Sequence, residues 1–223
     1  MANYSYLCSA DVASLYPSSQ VAGFDSQSGV LAHDVSCVPL LWLALFRPAD
    51  LVTGVFTVDE EDEDEEEAEL EATAPLVAKD RALAQLDAAL PVLNRLFAAE
   101  GTLDGHAALL RQAVEKAPDA YLTIELDEIE ALWEEGTFQP ALRAALACFD
   151  GVSDGGTGMA ADRARLIELS QLRPGRPFPP ARLLIDGSET RSDDDCWNFV
   201  RLLGAAFMAE VPWETAYADT EAS

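Results

Sequence analysis

Four acidic residues lie close together near the middle of the chain, at the end of a predicted strand. Glu125, Asp127, Glu128 and Glu130 fall within six consecutive positions. Paired carboxylates can act as general acid and base, or they can bind a divalent cation. Alternation along a strand would place Glu125 and Asp127 on one face, so a metal site formed by this pair stays open. Because acids are abundant here and no histidine or further motif accompanies them, we interpret the group as a solvated acidic segment.

A glycine-rich stretch from Asp150 to Gly158 resembles a ligand-binding loop. Such turns can bind phosphate through backbone N–H groups at a helix N-terminus. This stretch follows a predicted helix instead of a strand, contains no lysine, and would bring Asp154 against the anion. It also lacks the alternating oxygen ligands of an EF-hand. We interpret it as a linker.

The two histidines, His33 and His106, are far apart in the sequence. His33 could join Ser36 or Cys37 in a nucleophilic site, but no nucleophile elbow surrounds them. The chain also contains four scattered cysteines without zinc-ligand spacing, which we expect to be reduced core thiols: Cys8, Cys37, Cys148 and Cys196. We therefore predict no catalytic residue, no metal and no cofactor, and we predict that the protein is not an enzyme.

Nine consecutive carboxylates separate an aromatic-rich N-terminal part from a longer part rich in alanine and leucine. Like charges this close repel one another, so the run should be solvated or condensed on a basic partner. We predict a disordered acidic insertion over residues 59–73 and a frayed tail over residues 214–223. The predicted partner-binding residues are Asp59, Glu60, Glu61, Asp62, Glu63, Asp64, Glu65, Glu66 and Glu67.

Hydrophobic periodicity predicts helices and short strands around these residues. We expect strands at 3–9, 50–58, 121–126 and 182–187, and a long irregular connection over 10–36. We expect helices at 38–46, 79–99, 105–116, 128–135 with Asp127 as its cap, 139–149, 159–172, and 193–208 capped by Ser192. These elements do not alternate as βα units. The sequence therefore predicts a single helix-rich α+β domain over residues 1–223, with a small sheet of short strands.

The charge of the whole chain restricts the class of partner. The formal net charge is −26, and the eleven acids of residues 59–71 account for less than half of it, because −15 remains without them. Such a surface repels nucleic acid and anionic membranes, and it attracts basic proteins. The alternative is that the acidity only maintains solubility. No secretory signal is visible, and the longest apolar run, residues 38–46, is too short to cross a bilayer, so we expect a cytoplasmic protein.

Three segments resemble a group of small uncharacterised bacterial proteins that start and end in a similar way. They are the start Ala2-Asn3-Tyr4-Ser5-Tyr6-Leu7, the segment Val38-Pro39-Leu40-Leu41-Trp42, and the tail Val211-Pro212-Trp213-Glu214. The group is associated with secretion and toxin–immunity gene sets. The resemblance implies an immunity-like binding protein and supplies no catalytic residues.

Together, charge and resemblance predict a non-catalytic acidic protein that masks a basic toxin, such as a nuclease. A nuclease presents lysine and arginine to phosphates, so an acidic inhibitor can occupy the same surface. Two alternatives stay open: a small metal-dependent hydrolase that uses the carboxylate pair, and an acidic chaperone-like protein. The oligomeric state is not indicated by the sequence.

Overall fold

The computed structural model describes residues 3–11, 13, 29–58, 68–150, 157–181 and 193–205. Within these ranges the chain forms five strands. The strands are β1 (Tyr4–Ala10), β2 (Val30–Val35), β3 (Leu51–Val58), β4 (Ala68–Ala78) and β5 (Tyr121–Glu125). They form one antiparallel sheet in the order β2-β1-β5-β4-β3.

Seven α-helices and one 3-10 helix accompany the sheet in the described part of the chain. They are α1 (Leu40–Leu43), the 3-10 helix (Pro48–Asp50), α2 (Lys79–Leu96), α3 (Asp104–Lys116), α4 (Asp127–Glu130), α5 (Phe138–Ala147), α6 (Thr157–Ser170) and α7 (Asp193–Leu203). The longest helix, α2, continues through Pro91 and buries Leu86 and Leu93 on one face. The predicted fold class, helix-rich α+β with a small sheet, is confirmed.

The two faces of the sheet have different surroundings. Leu7, Ala32 and Ile124 are fully buried and belong to one hydrophobic core that the helices complete. Because successive side chains of a strand point to opposite faces, Tyr6 and Glu125 lie on the other face, where they are only partly buried. We call this second side the outer face.

Strands β3 and β4 form a ribbon that extends beyond the rest of the sheet. They pair from Leu51 with Pro75 to Val58 with Ala68, whereas β4 pairs with β5 only through residues 76–78. Eight paired residues span about 27 Å at the usual rise of a strand. The hydroxyl groups of Thr53 and Thr73 are 2.8 Å apart across the ribbon and support this register.

Helix α7 closes the core over the apolar segment that follows β2. Residues 38–46 of that segment are fully buried, and the indole Nε1 of Trp42 donates a hydrogen bond of 2.8 Å to the Leu203 carbonyl. Gly204 follows α7 with a φ of +91°, and a Cβ at this position would lie 2.5 Å from the Trp42 ring. Only glycine fits such a conformation at so close an approach.

Several predictions of local structure are wrong. The helices expected at 38–46 and 128–135 are shorter and form α1 (Leu40–Leu43) and α4 (Asp127–Glu130). Residues 30–35, expected in an irregular connection, form β2 because their alternate residues pack on the core. Residues 68–73 of the expected disordered insertion belong to β4, where they pair with β3; residues 59–67 lie outside the described residues. Asp127 lies in the first turn of α4, while Leu126 occupies the N-cap position without a side-chain cap. The predicted strand at 182–187, the cap at Ser192 and the tail at 214–223 also lie outside the described part.

Candidate functional site

The structure brings two of the clustered acids, Glu125 and Asp127, near enough for their charges to interact. Glu125 is the last residue of β5 and Asp127 is the first residue of α4. The backbone N–H and the carboxyl group of Asp127 both lie near enough to the Glu125 carboxyl group to influence its protonation. A neighbouring carboxylate disfavours a second negative charge, so Asp127 favours the protonated form of Glu125.

The other two acids of the cluster have separate partners. Glu128 Oε2 accepts a hydrogen bond of 2.8 Å from the Tyr4 backbone N–H, which ties α4 to the start of β1. Glu130 Oε2 accepts one of 2.7 Å from Gln139 Nε2, at the start of α5. Only Glu128 therefore stays beside the Glu125–Asp127 pair, which it influences through its charge.

Three rings lie next to this pair on the outer face of the sheet. The Tyr4 and Tyr6 rings are stacked with centroids 5.8 Å apart, and the His33 ring is 5.9 Å from Tyr4 in an edge-on arrangement. The strand register explains the grouping, because Tyr6 is directly opposite His33 on one side and Glu125 on the other. We call these rings with Glu125, Asp127 and Glu128 the tyrosine face.

The electrostatic field of the tyrosine face is negative. Burial, followed by the charge of Asp127, raises the pKa of Glu125 to about 8. Burial, followed by the charge of Glu128, raises the pKa of Tyr6 to about 12. Burial and the charge of Glu125 likewise raise the pKa of Cys8 to about 12, so this thiol stays protonated and is a poor nucleophile. Each shift has the sign expected where anionic neighbours disfavour further negative charge.

The predicted partner-binding run occupies a defined position in the chain relative to the ribbon. Val58 and Ala68 are directly paired, so Asp59 and Glu67 are attached to neighbouring ends of β3 and β4. Glu71, on β4, is exposed. The nine carboxylates themselves lie outside the described residues. The described strands therefore fix where the run begins and ends: at the end of the ribbon away from β5.

His33 and Cys37 do not form a nucleophilic site. His33 lies on the outer face, whereas Asp34, the next residue of β2, is buried on the opposite side. The Cys37 thiol donates to Asp34 Oδ2 at 3.2 Å and accepts from Arg201 Nη1 at 3.0 Å. Burial raises the pKa of Cys37 well above its ordinary value, so the thiol is neutral. Cys8, Cys37 and Cys148 are buried and free, as predicted.

A buried ion pair that the sequence did not predict joins β2 to α7. Arg201 Nη1 donates to Asp34 Oδ1 at 2.8 Å, and both side chains are almost completely buried. The Arg201 guanidinium also lies over the Trp197 ring, 4.4 Å from its centroid, and Arg173 lies over the same ring at 4.2 Å. A buried charge requires such partners, so this group stabilises the docking of α7.

The remaining candidates have structural surroundings or lie outside the description. His106 is buried in α3, where Nε2 donates to the Pro179 carbonyl at 2.8 Å. Most of the glycine-rich stretch, residues 151–156, lies outside the described residues. Asp193, Asp194 and Asp195 form the first turn of α7, as predicted.

Within the described ranges, no group of three or more histidine, cysteine or acidic residues is arranged to bind a metal ion. The same part of the chain contains no helix that is both long and apolar enough to cross a membrane.

The tyrosine face could have been found only in part from the sequence. The alternation of Tyr4 and Tyr6 in β1 signals one face of a strand, and the Glu125–Asp127 spacing signals the acid pair. His33 could not be added, because β2 was not predicted.

The comparisons with known proteins found no match to this chain. No protein-family model matches the sequence. No curated protein and no solved structure matches it either.

Proposed function

We propose that this protein is a non-catalytic acidic binding protein that masks a basic protein in the cytoplasm, as an immunity protein masks a toxin. The observation that carries the proposal is the position of the nine-carboxylate run between the paired ends of the ribbon, Val58 and Ala68. A dense charge joined to a two-stranded extension is a means of attracting an oppositely charged surface.

The use of arginine inside the fold supports the same proposal. The chain has only 14 lysines and arginines against 40 acids. Six of these arginines form ion pairs with acids of the same chain: Arg47, Arg81, Arg111, Arg163, Arg165 and Arg201. Six of the 14 basic residues are thus already paired with acids of this chain. The acids in excess give the surface a strongly negative potential that favours basic partners.

The first test concerns the partner. If a gene next to this one encodes a basic toxin-like protein, its purified product should bind this protein and lose its activity on binding. A nuclease is the preferred kind, because its phosphate-binding surface is basic. Purified products of the neighbouring genes that neither bind nor are inhibited would contradict the proposal.

The second test concerns the run itself. Association should slow by about tenfold between 50 and 200 mM salt if charge steers the encounter. A variant with Asp59, Glu61, Glu63, Glu65 and Glu67 replaced by their amides should reduce the association rate more than it raises the dissociation rate.

A matched control neutralises five exposed acids elsewhere and so changes the net charge equally. The control residues are Asp80, Glu115, Glu134, Glu135 and Glu168. This control should slow association much less than the variant of the run. Equal slowing by both variants would mean that the overall charge, and not the run, attracts the partner.

The alternative function is metal-dependent hydrolysis, and the closeness of the Asp127 charge to Glu125 favours it. A divalent cation would displace the proton of Glu125 and bind both carboxylates. Calorimetric titration with Mg²⁺ or Mn²⁺ at pH 8.5, compared with the Asp127→Asn variant, tests this function. Binding that is lost in the variant supports the alternative, and equal or absent binding in both contradicts it.

A further inference from the structure

Two of the three buried acids of the described chain, Glu100 and Asp34, share an environment that the tyrosine face reproduces except for one component. Three arginines of the described chain each combine an acidic partner with an aromatic ring. The combinations are Arg47 with Asp150 and Phe149, Arg163 with Glu100 and Phe97, and Arg201 with Asp34 and Trp197. Arginine suits this role because its planar group pairs with a carboxylate and stacks on a ring.

Glu125 has the ring and the acid but no cation. Tyr6 is its direct neighbour across the sheet, and the charge of Asp127 acts on it from the start of α4. Among the described residues, no lysine or arginine forms an ion pair with Glu125, and the charges that act on it are those of acids. A half-buried carboxyl group among negative neighbours would be stabilised as an anion by a cation from outside the chain.

We propose that the tyrosine face binds an arginine side chain of the basic partner, with the guanidinium stacked on Tyr4 or Tyr6 and paired with Glu125. This inference rests on the proposed function and names the group of the partner that is recognised. Arginine is preferred to lysine because it can use the ring faces and the carboxylate at the same time.

The proposal predicts a proton-linked interaction. Glu125 has to lose its proton to pair with a guanidinium, so affinity should increase between about pH 6 and pH 8, by up to about tenfold per pH unit. The titratable groups that face Glu125 are Tyr6 and Cys8 from β1 and Asp127 and Glu128 from α4. His33 of β2 lies against the same rings, so the pH profile is repeated in the His33→Gln variant to separate its contribution.

The experiment needs no identified partner. N-acetyl-arginine amide is titrated into the full-length protein, and the ring signals of Tyr4, Tyr6 and His33 are followed by NMR; N-acetyl-citrulline amide is the uncharged control. Arginine should shift these signals in the millimolar range and citrulline should not. Glu125→Gln and Tyr4→Leu should each weaken binding by about fivefold or more, whereas Tyr4→Phe should retain it.

The Tyr121→Leu variant is the matched control, because Tyr121 lies at the opposite end of β5, on the same face of the sheet, where it pairs with Ala10. It should leave arginine binding unchanged. Equal shifts with arginine and citrulline, or shifts that survive in Glu125→Gln, would overturn the proposal.

The outcomes separate this inference from the proposed function. If variants of the acidic run slow association with the basic partner but Tyr4→Leu and Glu125→Gln leave its affinity unchanged, the inference fails and the proposed function stands. If arginine amide binds at the tyrosine face but the neighbouring basic proteins do not bind, the inference stands for arginine as a ligand and the proposed function fails.

Discussion

Replacing Glu125 with glutamine should make the protein more stable at neutral and alkaline pH and should have little effect near pH 4. In the native protein, burial and the charge of Asp127 raise the pKa of Glu125 from 4.5 to about 8. The folded state therefore holds the proton more tightly than the unfolded state. Stability from this group is complete below about pH 4.5 and is lost as the pH rises towards 8.

The size of the effect follows from the same values. One pH unit of difference in proton affinity corresponds to about 1.4 kcal/mol, and pH 7 lies roughly 2.5 units above the pKa of the unfolded state, which gives about 3 kcal/mol. Glu125 stays partly exposed, so solvent screens part of this cost. We expect Glu125→Gln to raise the free energy of unfolding by about 1–3 kcal/mol at pH 7. Glutamine keeps the size and polarity of the side chain and has no group that titrates in this range.

The assay is urea denaturation of both proteins at pH 4.5, 7 and 8.5. Glu115→Gln, which removes an exposed acid on α3, controls for the general relief of charge repulsion. The increase in the free energy of unfolding caused by Glu125→Gln should become larger as the pH rises, and at pH 7 it should exceed the increase caused by Glu115→Gln. If the free energies of unfolding of Glu125→Gln and the native protein differ by the same amount at all three pH values, the reasoning is refuted, because no proton of Glu125 would then be linked to folding.

Three further variants test the packing around the sheet. Arg201→Met leaves the charge of Asp34 buried without its partner and should reduce the free energy of unfolding in urea by about 3–5 kcal/mol, whereas adding Asp34→Asn should restore part of the loss. Gly204→Ala places a Cβ against Trp42 and should reduce the free energy of unfolding by at least about 2 kcal/mol. Gly136 also has a positive φ, of +73°, but has open space around it, so Gly136→Ala should reduce the same free energy by only about 1 kcal/mol. Burial lowers the pKa of His106, so the stability that the neutral ring contributes is present above about pH 6.5 and is lost as the pH falls. His106→Gln should therefore reduce the fall in the free energy of unfolding between pH 7 and pH 5. An equal fall in the variant and the native protein would contradict a lowered pKa for His106.

The parts of the fold that sequence predicted are those with regular local patterns. Strands β1 and β5 alternate in hydrophobicity, and α2 and α3 have apolar residues three and four positions apart, so each pattern follows from the geometry of a single element. The acid pair was geometrically allowed for the same reason. Its contact with Tyr6 depends on how β1 pairs with β5, which is not encoded in either strand alone.

The missed elements depend on distant residues. Strand β2 contains Asp34, which looks unsuited to a buried position until Arg201 is placed beside it, 167 positions later in the chain. The first half of β4 contains Glu69 and Glu71, which continue the acidic pattern of the run, and only its pairing with β3 makes it a strand. In both cases the tertiary partner overrides local composition.

The contacts of α7 have a consequence for the order in which the chain can fold during its synthesis. Trp42 and Asp34 belong to the first quarter of the sequence, yet their hydrogen-bond partners in Leu203 and Arg201 are 161 and 167 positions away. A ribosome that adds about 5–20 residues per second would reach α7 roughly ten to thirty seconds after Trp42 is made. During that interval the apolar segment 38–46 has no native cover from α7. The native packing of residues 38–46 can therefore be completed only after α7 has been translated.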